Sequence, residues 1–181
     1  MGAIVGALYA VGYSGNDIEK IGREIDWDQL FGNQISFQTL SMEEKEQYSR
    51  FAIELPYVNN KIKLQTGVIK GQELNLKFAE LFFHVSDVRR FDQFRIPFKC
   101  MATDLETGNL VVLDTGNITT ALRATMAIPS IFSAVSVGDK KLVDGGVVRN
   151  FPVKNVKEMG ADIVIGSNVS MGLSAKDKIA N

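Results

Sequence analysis

Apolar positions recur along the chain with helical and strand periods in alternation. The opening run, Met1-Gly2-Ala3-Ile4-Val5-Gly6-Ala7-Leu8-Tyr9-Ala10-Val11-Gly12-Tyr13, is almost entirely small or apolar. Gly2, Gly6 and Ala10 fall at i, i+4 and i+8, with Ala3 and Ala7 beside them. This predicts a helix ending near Gly12 with one nearly bare face, suited to very close packing. Ser14-Gly15-Asn16-Asp17 reads as a turn that starts a second helix, in which Ile18, Ile21 and Ile25 keep the amphipathic spacing. Trp27 and Phe31 are expected to pack inward behind it, and Met42 to Arg50 to form a charged, solvated helix, with Ser41 as its N-cap. Phe51 to Leu55 and Lys61 to Gln65 alternate on either side of Asn59-Asn60, which predicts a hairpin. Leu74, Phe78, Leu81 and Phe82 mark the apolar face of a helix from about Gln72 to Phe83.

The second half repeats the alternation. Phe98 to Ala102 and Leu110 to Leu113 are strand-like runs joined by the turn Glu106-Thr107-Gly108-Asn109. Thr119 to Ala127 is a helix that Pro129 stops, and Ala134 to Val137 pairs with Lys141 to Val143 through Gly138-Asp139-Lys140. Val153 to Met159 is a helix closed by Gly160. Ile163-Val164-Ile165 is a continuous β-branched run of the kind a strand buried on both faces needs. The chain turns polar after Asn168, and residues 171–181 read as a frayed tail or the start of a linker. The pattern is that of one α/β domain over residues 1–181, consistent with three layers and a partly parallel sheet.

Composition narrows the chemistry. A net charge of −1 shows no electrostatic footprint for nucleic acid or anionic lipid. The single cysteine, Cys100, rules out an internal disulfide, and its apolar surroundings predict an inert buried thiol. One histidine and one cysteine without ligand spacing make no metal site, so no metal is expected. The apolar N-terminal run is shorter than the roughly 20 residues of a membrane span and lacks the charged start of a signal peptide.

The stretch with chemistry in it is Lys141-Leu142-Val143-Asp144-Gly145-Gly146-Val147-Val148-Arg149-Asn150-Phe151-Pro152. A short strand delivers one carboxylate, Asp144, to a turn that Gly145 and Gly146 make sharp. Taken alone, this is either the site of a general base or a hairpin with a solvated aspartate.

Met1 to Tyr13 and Leu142 to Pro152 together resemble two motifs of the patatin-like phospholipases. In that family the serine motif reads Gly-Thr-Ser-Met-Gly-Ala-Ile-Val-Gly, and the second motif is Asp-Gly-Gly or Asp-Gly-Ala. Pro97 to Gly108 is similar to the family's central strand and turn. Leu122-Arg123-Ala124-Thr125-Met126-Ala127-Ile128-Pro129 is similar to its arginine-alanine-serine-x-alanine-x-proline segment, with Thr125 at the usual serine position. The matches fall in family order and cover Met1 to Ser170.

The resemblance implies a three-layer α/β/α patatin-like fold with a mixed, largely parallel sheet. It also implies a lipid acyl hydrolase with a serine–aspartate dyad and no cofactor. Asp144 is the implied base, Gly145 and Gly146 form the turn that lets the serine approach, and the Met1 nitrogen is an oxyanion donor. The implied partner is a lipid or fatty-acyl ester, met at a membrane surface. Met1 aligns just after the family serine, so the register implies a chain starting behind the nucleophile and lacking the first strand, without esterase activity of its own. An unpaired sheet edge would follow. Bacterial members with a larger C-terminal extension are the nearest in pattern, and the compartment is left open, export or outer-membrane association included.

Two other readings stand beside this one. A catalytically inactive binding or scaffold domain could use the same fold. Gly2 to Gly6 could be a phosphate-binding loop, although the spacing departs from G-x-G-x-x-G. His84, the lone histidine, ends the apolar run Leu81-Phe82-Phe83 and is expected to be half-buried and structural.

Overall fold

The computed structural model describes residues 1–27, 30, 57–58, 61–62, 71–129 and 131–167. Helix α1, Gly2–Val11, ends on Gly12 at φ 117°, a conformation that favours glycine. Its small-residue face packs as expected: Ala7 and Ala10 are buried, and a Cβ at Gly6 would already touch the Phe98 ring at 3.5 Å. Gly2 and Gly6 lie inside this helix, so they form no phosphate loop. Ser14 caps helix α2, Gly15–Glu24, in a reciprocal box. Asp17 N–H donates to Ser14 Oγ at 3.2 Å, and the Ser14 hydroxyl and amide both donate to Asp17 Oδ2. Those bonds hold the Asp17 carboxyl below its ordinary pKa. Trp27 is half-buried, with its indole N–H on Gly22 O.

Strands β1, Tyr57–Val58, and β2, Lys61–Ile62, pair antiparallel with Tyr57 opposite Ile62 and Val58 opposite Lys61, while Asn59-Asn60 lies outside the described residues. The expectations for Phe31, Ser41, Met42 to Arg50, Phe51 to Leu55 and the tail lie outside the described residues. Helix α3, Gln72–Leu81, buries Leu74, Phe78 and Leu81, and Phe82 behind it is buried too. The helix then tightens into a 3-10 turn at Phe83–Val85, which leaves Phe83 and His84 exposed. His84 is therefore not half-buried, and its ring meets Tyr13 edge-on at 5.7 Å.

The main sheet holds β3, Cys100–Asp104; β4, Leu110–Leu113; β5, Val135–Val137; and β6, Lys140–Asp144, in the order β4-β3-β6-β5. Every residue of β3 is buried, as a central strand between two neighbours requires. Helix α4, Ile118–Thr125, runs from an Asn117 cap and packs on β3, β6 and β5. Between them lies a core that includes Leu74, Phe82, Phe91, Leu122 and Leu142, all essentially inaccessible. Each such side chain contributes roughly 1.5–3 kcal/mol relative to exposure. A short helix α5, Val153–Glu158, follows the Asp144 turn.

The α/β class holds, but two details differ from expectation. Among the described residues every strand pair is antiparallel, not largely parallel. The short turns at residues 105–109 and 138–139 connect neighbouring strands directly, and a two- to five-residue connection can only reverse direction. Residues 163–165 form no strand, with Ile163 82% and Ile165 95% exposed. A doubly buried strand needs hydrogen-bonded neighbours, and no described strand lies beside these residues.

Candidate active site

Strand β6 carries Leu142 and Val143 into the core and ends on Asp144, which is half-buried. Three bonds fix that residue. Its N–H donates to Ala127 O at 2.9 Å, its carbonyl accepts from Thr103 Oγ1 at 3.0 Å, and its Oδ1 accepts from Gly146 N–H at 2.7 Å. Among the described residues nothing donates to Oδ2, which leaves one carboxylate oxygen available to a further partner.

The two glycines have separate reasons to be there. Gly145 is pressed on strand β3, where a Cβ would lie 2.3 Å from Met101 O. Its φ is not in the left-handed region, so close approach is what requires it. The same Met101 carbonyl accepts a hydrogen bond from Thr125 Oγ1. Gly146 is the middle residue of the 3-10 turn Gly145–Val147 and presents its N–H to the Asp144 side chain, which caps the turn. The turn closes with Arg149 N–H on Gly145 O at 2.8 Å.

A cleft of about 360 Å³ opens beside this turn. Its wall includes Met1 and Gly2 from the start of α1, Cys100 and Met101 from β3, Thr125 from the end of α4, and Asp144, Gly145 and Gly146. The four residues picked out from the sequence, Met1, Asp144, Gly145 and Gly146, are thus brought to one place. Phe151, Pro152, Val153 and Val156 add an apolar side. Gly166 completes it, with its backbone so close to the Phe151 ring that a Cβ would lie 2.2 Å away. Cys100 reaches the cleft wall but is buried, and burial pushes its thiol up to about 12. His84 does not line the cleft.

Sequence reasoning did not find Thr103, Lys99 or Arg149 as site residues. Arg149 lay within the Asp-Gly-Gly stretch, where a charge three residues past the second glycine was a readable signal. Thr103 gave none, because its partner is 41 residues away. No group of three or more His, Cys, Asp or Glu side chains among the described residues is placed to hold a metal ion. Among those residues no helix is long and apolar enough to cross a membrane.

The arrangement can present a carboxylate oxygen to a hydroxyl in a part-apolar cleft, beside a helix N-terminus that favours negative charge. Comparison with known proteins is consistent with that chemistry. Residues 1–157 match the family described as patatin-like phospholipase. An uncharacterized protein, YqhO, of Bacillus subtilis is 28% identical over 168 residues, covering 84% of this chain and 53% of the relative. A lysophospholipase NTE1 of Debaryomyces hansenii is 25% identical over 169 residues, 93% of this chain and 9% of the relative. An uncharacterized NTE family protein of Mycobacterium tuberculosis is 32% identical over 79 residues, 44% of this chain and 22% of the relative. The chain spans about half the length of the first of these and far less of the other two.

Proposed function

The chain belongs to the patatin-like phospholipase family, a family of lipid hydrolases, and on that premise we propose that it supplies the base of a serine–aspartate lipid acyl hydrolase. Asp144 is the base. Its Oδ1 is occupied by the Gly146 N–H, so Oδ2 is the atom that takes the serine proton. The serine oxygen then attacks the acyl carbonyl, the proton passes from Asp144 to the departing alcohol, and an acyl-enzyme remains. Water activated by the same carboxylate releases the fatty acid. The Met1 backbone nitrogen, at the entrance to α1, donates to the oxyanion.

On this reading the nucleophile is the residue that the family motif sets immediately before Met1. The observation that carries the proposal is that one cleft is walled by both residue 1 and Asp144. Acyl-ester hydrolysis by the full-length gene product tests it. Asp144→Asn keeps the shape and removes the acceptor, and it should lower kcat by roughly 10²–10⁴-fold. His84→Ala, at a residue that does not line the cleft, should leave kcat within about threefold, under ~1 kcal/mol of barrier. An inactive His84→Ala beside an active Asp144→Asn would overturn the dyad. A full-length product with no turnover and no serine before Met1 would point instead to a binding domain on this fold.

A further inference from the structure

Thr125 is the last residue of helix α4, and among residues 121–127 it alone is not buried. It is also the residue of that helix on the cleft wall. A threonine in a helix ordinarily donates to a carbonyl three or four residues back. Thr125 Oγ1 instead donates to Met101 O, across to strand β3. Met101 stands one residue beyond Ala102, the partner of Asp144, so its carbonyl lies where the chain leaves the ladder at Gly145. A hydroxyl has one hydrogen and two acceptor lone pairs. With the hydrogen committed to Met101, Thr125 Oγ1 can only accept from whatever else meets it.

Two contacts tie that acceptor to the base. Asp144 N–H donates to Ala127 O, two residues past Thr125, and the Met101 oxygen that Thr125 holds is the atom on which Gly145 is pressed. Satisfying the Met101 carbonyl accounts for the Thr125 bond and not for its place on the cleft wall. We propose that Thr125 is a catalytic residue of acyl-enzyme hydrolysis, its Oγ1 accepting one hydrogen of the attacking water while Asp144 Oδ2 accepts the other. This rests on the hydrolase reading. The water oxygen bonds to the acyl carbon as its proton passes to Asp144, and the hydrogen held by Thr125 stays on that oxygen. The bond to the serine oxygen then breaks, the proton moves from Asp144 to the serine, and the fatty acid leaves. Acylation makes no use of the contact, because the attacking serine hydroxyl has a single hydrogen and gives it to Asp144.

The full-length gene product, in excess, is mixed with p-nitrophenyl decanoate. Release of p-nitrophenol times acylation, and intact-protein mass follows loss of the acyl adduct. Thr125→Val, close in shape but without the hydroxyl, should lengthen the adduct's life roughly tenfold, about the worth of one hydrogen bond, with p-nitrophenol release within about twofold of wild type. Thr125→Ser keeps the oxygen and should recover most of the wild-type lifetime. Thr125→Ala, which leaves room for water to serve the Met101 carbonyl, is the second variant if Thr125→Val does not fold. A scaffold role would slow acylation and adduct loss together, since both steps need the Asp144 turn. An unchanged adduct lifetime, equal slowing of both steps, no recovery in Thr125→Ser, or loss of folding in both Thr125→Val and Thr125→Ala would each overturn the inference. A wild type that releases no more p-nitrophenol than Asp144→Asn rejects the hydrolase reading and the inference with it. A wild type that forms and sheds the adduct, beside variants that shed it as fast, rejects the role of Thr125 alone.

Discussion

A Cβ built on Gly145 would lie 2.3 Å from Met101 O, backbone against backbone, whereas one on Gly146 would lie 3.2 Å from Asp144 Oδ1. Only a shift of strand β3 could relieve the first contact, while a small side-chain adjustment relieves the second. Gly145→Ala should therefore cost at least the roughly 1–3 kcal/mol of an overpacked core, and Gly146→Ala distinctly less. Urea unfolding of the pair measures the difference, and equal losses would show that the contact with Met101 is not the constraint. Cys100 makes a second case at this scale. Its thiol is raised from 9.0 to about 12 by burial, so the unfolded chain ionises first as pH rises. The stabilisation is complete below pH 9 and is lost between pH 9 and about 12, at up to about 1.4 kcal/mol per unit. In Cys100→Ala that alkaline loss should shrink, as read from unfolding free energies across the window. Asp144 was legible because an apolar strand and two glycines surround it in sequence. The Thr103 bond to its carbonyl was not, since nothing local to Thr103 announces a partner so far along the chain.

Elements whose signals are local were legible. The turn at Ser14 to Asp17, Pro129 and the glycines at 12 and 160 placed helix ends within a residue or two of where they lie. The α3 face was readable from its spacing. What failed is what depends on a partner. The β5–β6 hairpin was readable from its turn, but apolar alternation says that a strand has a covered face, not which way its neighbour runs, and so the antiparallel pairing of β3 with β6 was hidden. Ile163-Val164-Ile165 has the composition of an interior strand, yet composition cannot supply the neighbour that would make it one. The exposure of His84 has a similar origin. The change from α-helix to 3-10 geometry after Leu81 rotates the next two side chains out of an otherwise apolar run.

For the molecule as a whole, the cleft is assembled from residues near 1, 100, 125, 144–153 and 164–167. Family-level patterning could foresee that the start of α1 and the Asp144 turn come together, but the cations on the wall depend on the final geometry. The sheet that holds the turn also orders events in time. The β5–β6 hairpin joins Val137 to Lys140 and closes locally, on the microsecond scale of hairpins. Its docking on β3 brings Thr103 to a carbonyl 41 residues away, and a span of that length must lose its freedom before the contact repays it. Pulse-labelled amide exchange during refolding should show the hairpin amides protected before those of Leu105 and Asp144, which donate to Lys141 O and Ala127 O. Simultaneous protection of all of them would refute that order. The carboxylate thus sits on a turn that can form early, while the surroundings that aim it arrive with the slowest pairing in the sheet, and a nascent or stressed chain would lose the aim before it loses the turn.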